Sequence, residues 1–264
     1  MLMIHRRCGP TKQRFTLAAT TTGAATVTIA RLTVNVAGVT IAWGDGVVEA
    51  LPANSTVALT HNYAGAGTWS IVVSDARRIT QIDLRDAKLG RLNTAQLVSS
   101  PITYFYVTAI TASTIRSADV AAWRPTHFYL YSLPAGCVVT FASADVAAWR
   151  PTYFGLYSLP AAGCTYTFAA SCMRDWTAVA VVRVDGLALL QAVVDVILAD
   201  IYAGRMGYTN AAPTLNVGGT NAAPSGVYAD EDPPVTGKGM IYELVNDPEV
   251  PPEGFKKWGI TYTA

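Results

Sequence analysis

Chemistry in a protein needs carboxylates, imidazoles, thiols or hydroxyls within reach of one another, and this chain holds few candidates. Its carboxylates include Asp45 in Trp43-Gly44-Asp45-Gly46, the pair Asp83 and Asp86, and the pair Asp119 and Asp145. Two carboxylates flanking a glycosidic bond would support hydrolysis, but these acids are scattered. Asp119 and Asp145 hold the same place in a repeat, near a short helix start, where a negative charge meets the helix dipole favourably. Asp45 belongs to an Asp-Gly turn that follows a strand. The histidines (His5, His61, His127) and cysteines (Cys8, Cys137, Cys164, Cys172) form no Cys-x-x-Cys pair and no zinc spacing. Cys137 and Cys164 recur at equivalent places and read as small buried packing residues, with a disulfide between neighbours as the alternative. Gly218-Gly219 lacks the lysine of a phosphate loop, and no nucleophile elbow or zinc-protease helix is present. Asp230-Glu231-Asp232-Pro233-Pro234 reads as a solvated acidic loop without calcium-loop spacing. The expectation is a protein without enzyme activity, metal or cofactor.

The elements that place the remaining polar and aromatic residues are set by a repeat. SADVAAWRPTHFYLYSLPAGCVVTFA, from Ser117 to Ala142, returns at Ser143 to Ala169 as SADVAAWRPTYFGLYSLPAAGCTYTFA, with one insertion at Ala161/Ala162. Each copy carries apolar-x-apolar-x-x-apolar: Phe128, Leu130, Leu133 and Phe154, Leu156, Leu159. The frame extends upstream to Phe105, Val107, Ile110 and Ile82, Leu84, Ala87, and downstream to Val182, Val184, Leu187 and Leu215, Val217, Thr220. The middle residues are separated by 23, 23, 26, 28 and 33 positions. Strands that alternate with period two bury one face only, so such units must stack in register to share a core. Ser117 and Ser143 stand where helix N-caps are wanted, Pro125 and Pro151 end the turns, and Trp123, Trp149 and Trp176 recur as core. Leu187 to Tyr202 has helical spacing.

Alternation turns the neighbours of the buried residues outward. They are Tyr104 and Tyr106; His127, Tyr129 and Tyr131; Tyr153, Gly155 and Tyr157; and Arg183 and Asp185. Equivalent side chains of paired strands lie ~4.8 Å apart, so the tyrosines form rows. Such rows stabilise a sheet, and an aromatic patch of this extent also marks an interaction surface.

Composition narrows the partner. Charged residues are 14% of the 264, and 19 Lys and Arg offset 18 Asp and Glu. Nucleic-acid binding needs clustered cations, and the only cluster is Arg6, Arg7, Lys12 and Arg14, which reads as a solvated tail. Leu187 to Ile201 carries Gln191, Asp195 and Asp200 and is too short to span a bilayer, so no membrane insertion is expected. Phe15 to Ala30 is rich in Thr and Gly and reads as strand rather than as a secretory signal.

Two resemblances organise the chain. Residues 14–75 alternate Val and Thr in short strands: Ala25 to Val36, Val39 to Trp43, Val57 to Leu59 and Trp69 to Val73. Trp43-Gly44-Asp45-Gly46, followed by Tyr63, Gly67 and Trp69, resembles the polycystic-kidney-disease (PKD) type of immunoglobulin-like domain, which implies a β-sandwich. Residues 76–264 resemble a divergent leucine-rich-repeat solenoid. Its last repeat (Leu215 to Gly226), a helix around Met240 to Val245 and a strand at Trp258 to Tyr262 would make a cap over about 209–264, and residues 1–13 a tail. The expected fold is mainly β with short helices, an N-terminal β-sandwich joined to a capped solenoid. Such modules imply surface display and contact with proteins or glycans. The expectation is a phage virion tail or decoration protein at the virion surface, touching a host surface or neighbouring virion proteins through the aromatic face, with homo-oligomers possible. A bacterial or archaeal cell-surface adhesin or sheath protein and a glycan-binding accessory module are the alternatives.

Overall fold

The computed structural model describes residues 13–160, 163–246 and 257–264. Arg6, Arg7, Lys12, Cys8, His5 and the Ala161/Ala162 insertion lie outside them. The chain is mainly β-strand with a few short helices.

The first third makes β1 (Phe15–Thr21), β2 (Ala25–Ile29), β3 (Arg31–Val34), β4 (Thr40–Ala42), β5 (Val48–Ala50), β6 (Leu59–Tyr63) and β7 (Gly67–Val73). β1 pairs antiparallel with β7 over its whole length and β7 pairs with β4, whose other neighbour is β5. β2 pairs with β6. Val and Thr alternation drives this arrangement: Phe15, Leu17, Ala19, Ile41, Ile71 and Val73 are buried on one side while Thr16, Thr20, Ser70 and Val72 are half-buried or exposed; Ala18, on the second side, is buried as well. The run Ala25 to Val36 is not one strand. The chain bends at Ala30 and sends β3 into a different sheet from β2. Val57 is exposed and precedes the strand, which begins at Leu59.

That different sheet has eight strands. β3 pairs antiparallel with β8 (Ile79–Leu84), and every later pairing is parallel: β10 (Tyr104–Thr108), β12 (His127–Tyr131), β14 (Tyr153–Tyr157), β16 (Val181–Arg183), β17 (Thr214–Asn216) and β18 (Gly259–Thr261). The registers align Ile82, Phe105, Phe128, Phe154, Val182 and Leu215 in one buried column that ends on the half-buried Ile260. A short β9 (Leu89–Gly90) pairs with β1, and β11 (Thr114–Arg116), β13 (Val138–Ala142) and β15 (Cys164–Thr167) form a second parallel ladder. The boundary near residue 76 is thus crossed twice, by β3 with β8 and by β1 with β9, and one contiguous hydrophobic core runs from Phe15 to Trp258. β3 also covers the open edge of the first parallel strand, which would otherwise present unpaired backbone groups.

Between strands of the large sheet, Trp123, Trp149 and Trp176 are buried and tilt against Phe105, Phe128 and Phe154 at 5.2, 4.9 and 4.9 Å between ring centroids. The stack repeats a fixed backbone device as well. Ala109, Ser132, Ser158, Gly186 and Gly219, each two residues after the middle apolar position, have positive φ. The glycine pair Gly218-Gly219 is therefore explained by a turn, and a Cβ on Gly219 would come within 2.9 Å of the Gly186 amide nitrogen.

Several expectations need correction. Ala87 and Thr220 are exposed. The inward positions of those coils are taken instead by Leu89 and by Asn221, whose side chain accepts from the amides of Leu187 and Leu189 and donates to the carbonyls of Val184 and Val217. Ser117 and Ser143 do not cap: they are first residues of α1 (Ser117–Val120) and of a 3₁₀ turn, and neither N-cap residue, Arg116 or Ala142, makes a side-chain cap bond. Their hydroxyls point along the stack to the next coil, accepting from the amides of Ala142 and Ala169, as Thr94 accepts from Arg116. Asp119 and Asp145 receive the hydroxyls of Thr94 and Ser117 at 2.7 and 2.5 Å, so these carboxylates bind coil to coil. Leu190, read as part of the apolar helix face, is 74% exposed and precedes α2 (Gln191–Gly204). The acidic segment is not simply solvated. Glu231 accepts from the amides of Val235 and Thr236 and from the Thr236 hydroxyl, just ahead of α3 (Gly237–Asn246). These bonds hold its carboxyl below the usual range.

Candidate binding face

The outward positions of β10, β12 and β14 come together in three rows. The first is Tyr104, His127, Tyr153; the second Tyr106, Tyr129, Gly155, continuing to Arg183; the third Thr108, Tyr131, Tyr157. In the first row Tyr104 meets His127 at 5.2 Å and His127 stacks on Tyr153 at 4.5 Å. In the other rows Tyr106 meets Tyr129 at 5.6 Å, Tyr131 stacks on Tyr157 at 4.6 Å, and Tyr129 meets Tyr157 edge-on at 6.3 Å. All the aromatic members are half-buried except Tyr157, which at 8% exposure is a buried member of the face.

Gly155 makes that burial possible. A Cβ there would lie 2.3 Å from Cδ1 of Tyr129 and 2.9 Å from Cε1 of Tyr157, so the missing side chain is the space into which both rings lean. The rings use their π-faces on one another, at the offset and edge geometries their quadrupoles favour. Sugar stacking on free ring faces is correspondingly reduced; the half-buried tyrosines keep part of their edges exposed, with the Tyr104 hydroxyl near Arg85 and those of Tyr106 and Tyr157 near one another.

Three arginines cap the rows. Arg31 of β3 lies over Tyr104 at 4.5 Å, Arg85 over Tyr106 at 4.4 Å and Arg183 over Tyr157 at 3.8 Å. Arg85 holds the buried Asp83 through two bonds of 2.7 and 2.6 Å, and Arg183 holds Asp185 through two of 3.0 Å. Desolvation raises the phenols of Tyr104 and Tyr129 and pushes Tyr157 up to about 12. Desolvation, and then the charge of Arg31, lower His127 below 6.5. Tyr104, Tyr129, Tyr157 and His127 are therefore each held toward the uncharged form. Arg31 and Arg85 were not legible as members of this face. Arg31 arrives from a strand that precedes the repeat, and Arg85 follows β8 and folds back onto its own sheet.

Beyond Arg183 the sheet drops to small side chains. Val181, Thr214, Asn216, Gly259 and Thr261 surround a shallow hollow of ≈ 390 Å³.

The second set of singled-out residues lies in the first third of the chain. Trp43 is fully buried and stacks on His61 at 4.8 Å; His61 meets Tyr63 edge-on at 4.6 Å, and Tyr63 stacks on Trp69 at 4.8 Å. The Tyr63 hydroxyl donates to the Trp43 carbonyl at 2.7 Å, and Asp45 pairs with His61 Nε2 at 2.7 Å. Gly44 and Gly46 have φ of +91° and +99°, and a Cβ on Gly44 would meet the Ser70 backbone at 2.8 Å. A Cβ on Gly67 would lie 2.8 Å from the Trp69 ring. Every residue of the motif thus has a packing or turn role. His61, two residues before Tyr63, is not singled out by the sequence, because its stacking on Trp43 and its hydrogen bond with Asp45 require two strands to be brought together.

Several of the remaining chemistry-bearing groups are engaged within the fold. Asp86 accepts from the amides of Thr28 and Lys88. Cys137, Cys164 and Cys172 are free thiols, and Cys137 bonds the Ile110 carbonyl. Among the described residues no three acidic, thiol or imidazole groups cluster to hold a metal, and no helix is long and apolar enough to cross a membrane. Compared with protein-family models, curated proteins and solved structures, the chain matches none.

Proposed function

We propose that this chain is a non-enzymatic, surface-displayed interaction protein, a PKD-like β-sandwich fused to a divergent leucine-rich-repeat solenoid, and that it works on a phage virion as a tail or decoration protein. The contact surface is the aromatic face, touching a host-surface or neighbouring virion protein or glycan. One observation carries the reading: seven aromatic side chains lie on the outward side of three adjacent parallel strands, with their rings mutually stacked and held by arginines. A rigid patch of this kind loses little side-chain entropy on contact, which favours recognition. The registered columns and the coil-to-coil bonds of Ser117 and Thr94 support a solenoid as its scaffold. The tight Gly44 to Gly46 turn beneath buried Trp43 supports the PKD-like reading.

The test replaces Tyr104, Tyr106 and Tyr131 together by Phe. The rings and their stacking stay while three hydroxyls go, so the melting temperature is expected to hold while adhesion to host cells, or assembly onto the particle, falls. Unchanged adhesion and assembly would remove the face from the proposal. Capsid, portal and tail genes beside this one support the virion placement; surface-layer or sortase genes support the cell-surface adhesin instead.

A further inference from the structure

The two margins of the aromatic face end in arginines, but only one margin is electrically closed. At the β16 margin Arg183 is matched by Asp185, and at the β8 margin Arg85 is matched by Asp83. Arg31, beside Arg85, has no such partner. Its register neighbour across the β3–β8 pairing is Asp83, and both Asp83 oxygens are engaged by Arg85. Among the described residues Arg31 makes no side-chain hydrogen bond and no ion pair, and its Nε is shielded without an acceptor. Its one described partner is the Tyr104 ring.

A guanidinium is a planar fork of five donors, and stacking on a ring uses its face while leaving its edge for a bidentate acceptor. Carboxylate is the acceptor whose two oxygens match that fork. The surroundings agree in charge. Arg31 and Arg85 against the single Asp83 leave one net positive charge, and the neighbouring His127 is held toward its neutral form. The rest of the face supplies phenol hydroxyls in rows that repeat at the strand spacing.

Resting on the reading of this face as the contact surface, we infer that it receives an acidic polysaccharide, with a carboxylate of one sugar on Arg31 and the hydroxyls of following sugars on the tyrosine rows. A repeating ligand suits a repeating surface. Successive units of the polymer can meet successive strands, and any unit bearing a carboxylate can occupy the Arg31 end. An acidic protein segment would satisfy Arg31 as well, but its extended backbone repeats at ~3.3 Å per residue, out of step with the ~4.8 Å spacing of the rows.

The probe is polygalacturonate, compared with its methyl ester, with dextran and with poly-glutamate, in affinity electrophoresis of the full chain at low salt. Retardation is expected with polygalacturonate and not with the methyl ester or dextran. Arg31→Gln should weaken it about tenfold or more, and Arg31→Lys by less, because a point charge keeps the attraction and loses the fork. Arg150→Gln removes the same charge from an exposed turn off this face and should leave binding unchanged. Equal losses in Arg31→Gln and Arg150→Gln would reduce the effect to net charge and overturn the inference, as would absence of binding to polygalacturonate. Poly-glutamate binding as tightly, and losing as much with Arg31→Gln, would overturn it in favour of an acidic protein partner. If the triple Tyr→Phe variant loses host adhesion while Arg31→Gln keeps it, the contact face stands and the carboxylate subsite falls.

Discussion

Gly155→Ala adds one methyl group, and the consequence can be worked from the neighbouring rings. The new Cβ would lie 2.3 and 2.6 Å from Cδ1 and Cε1 of Tyr129 and 2.9 Å from Cε1 of Tyr157. None of these contacts is tolerable, so Tyr129 must swing out and the rows lose their centre. Overpacking of this kind costs about 1–3 kcal/mol. Gly155 sits in mid-strand without a positive φ, so the substitution also recovers the roughly 0.5–1 kcal/mol by which a strand glycine trails alanine. The single variant should therefore be destabilised by the difference, up to about 2.5 kcal/mol, or as much as several degrees in Tm for a chain of this size. A double-mutant cycle separates the two parts. In a Tyr129→Ala background the clash with that ring is gone and only the 2.9 Å contact with Tyr157 remains, so Gly155→Ala should cost less than in the parent chain, with a coupling of about 1–3 kcal/mol in urea denaturation. Near-ultraviolet circular dichroism should report lost tyrosine order in the single variant. A coupling below about 0.5 kcal/mol, within ordinary additivity error, would mean that Tyr129 does not lie in the space above Gly155.

Two further outcomes test the scaffold. Asn221 makes four hydrogen bonds at 2% exposure, so Asn221→Ala leaves two amides and two carbonyls unmatched, and a loss on the order of 4 kcal/mol is expected in denaturant unfolding. A loss under about 1 kcal/mol would show that these groups find other partners. Asp45 is held below its ordinary value of 3.8, first by its hydrogen bond with His61. A depressed folded-state value means that this contribution is present above pH 3.8 and is lost as pH falls through the folded value. Asp45→Asn should therefore flatten the acid limb of a stability-versus-pH curve. Asp75 and Glu231, depressed by Arg77 and by Thr236 with its neighbours, keep part of that limb in the variant. An unchanged acid limb would sink the role of the Asp45–His61 pair.

The duplicated segment made much of the parallel sheet legible before any coordinates, because alternation and spacing are local. Phe105, Phe128 and Phe154 had to share one side of their strands, and Tyr104, His127 and Tyr153 the other. The outer coils were less legible for the same reason. Where the buried position held Leu89 or Asn221 in place of the third apolar residue, the frame nominated Ala87 and Thr220, which face solvent. Ser117 and Ser143 misled through a correct rule. A hydroxyl at a helix start favours capping when the helix stands alone, but here the amides of the next coil compete for it and win.

Local pattern in this chain decided which residues are strands, which side of each is buried, and that the tyrosines share a surface, since each of these follows from backbone period and apolar content within a few residues. Tertiary structure alone decided what that surface can do. Gly155 became a seat for Tyr129, Tyr157 became buried, and β3 crossed into the large sheet to set Arg31 over Tyr104. It also gave Asp83 to Arg85 and so left Arg31 without an acid. Ring packing and charge pairing depend on distances between residues far apart in the chain, and only folding sets those distances.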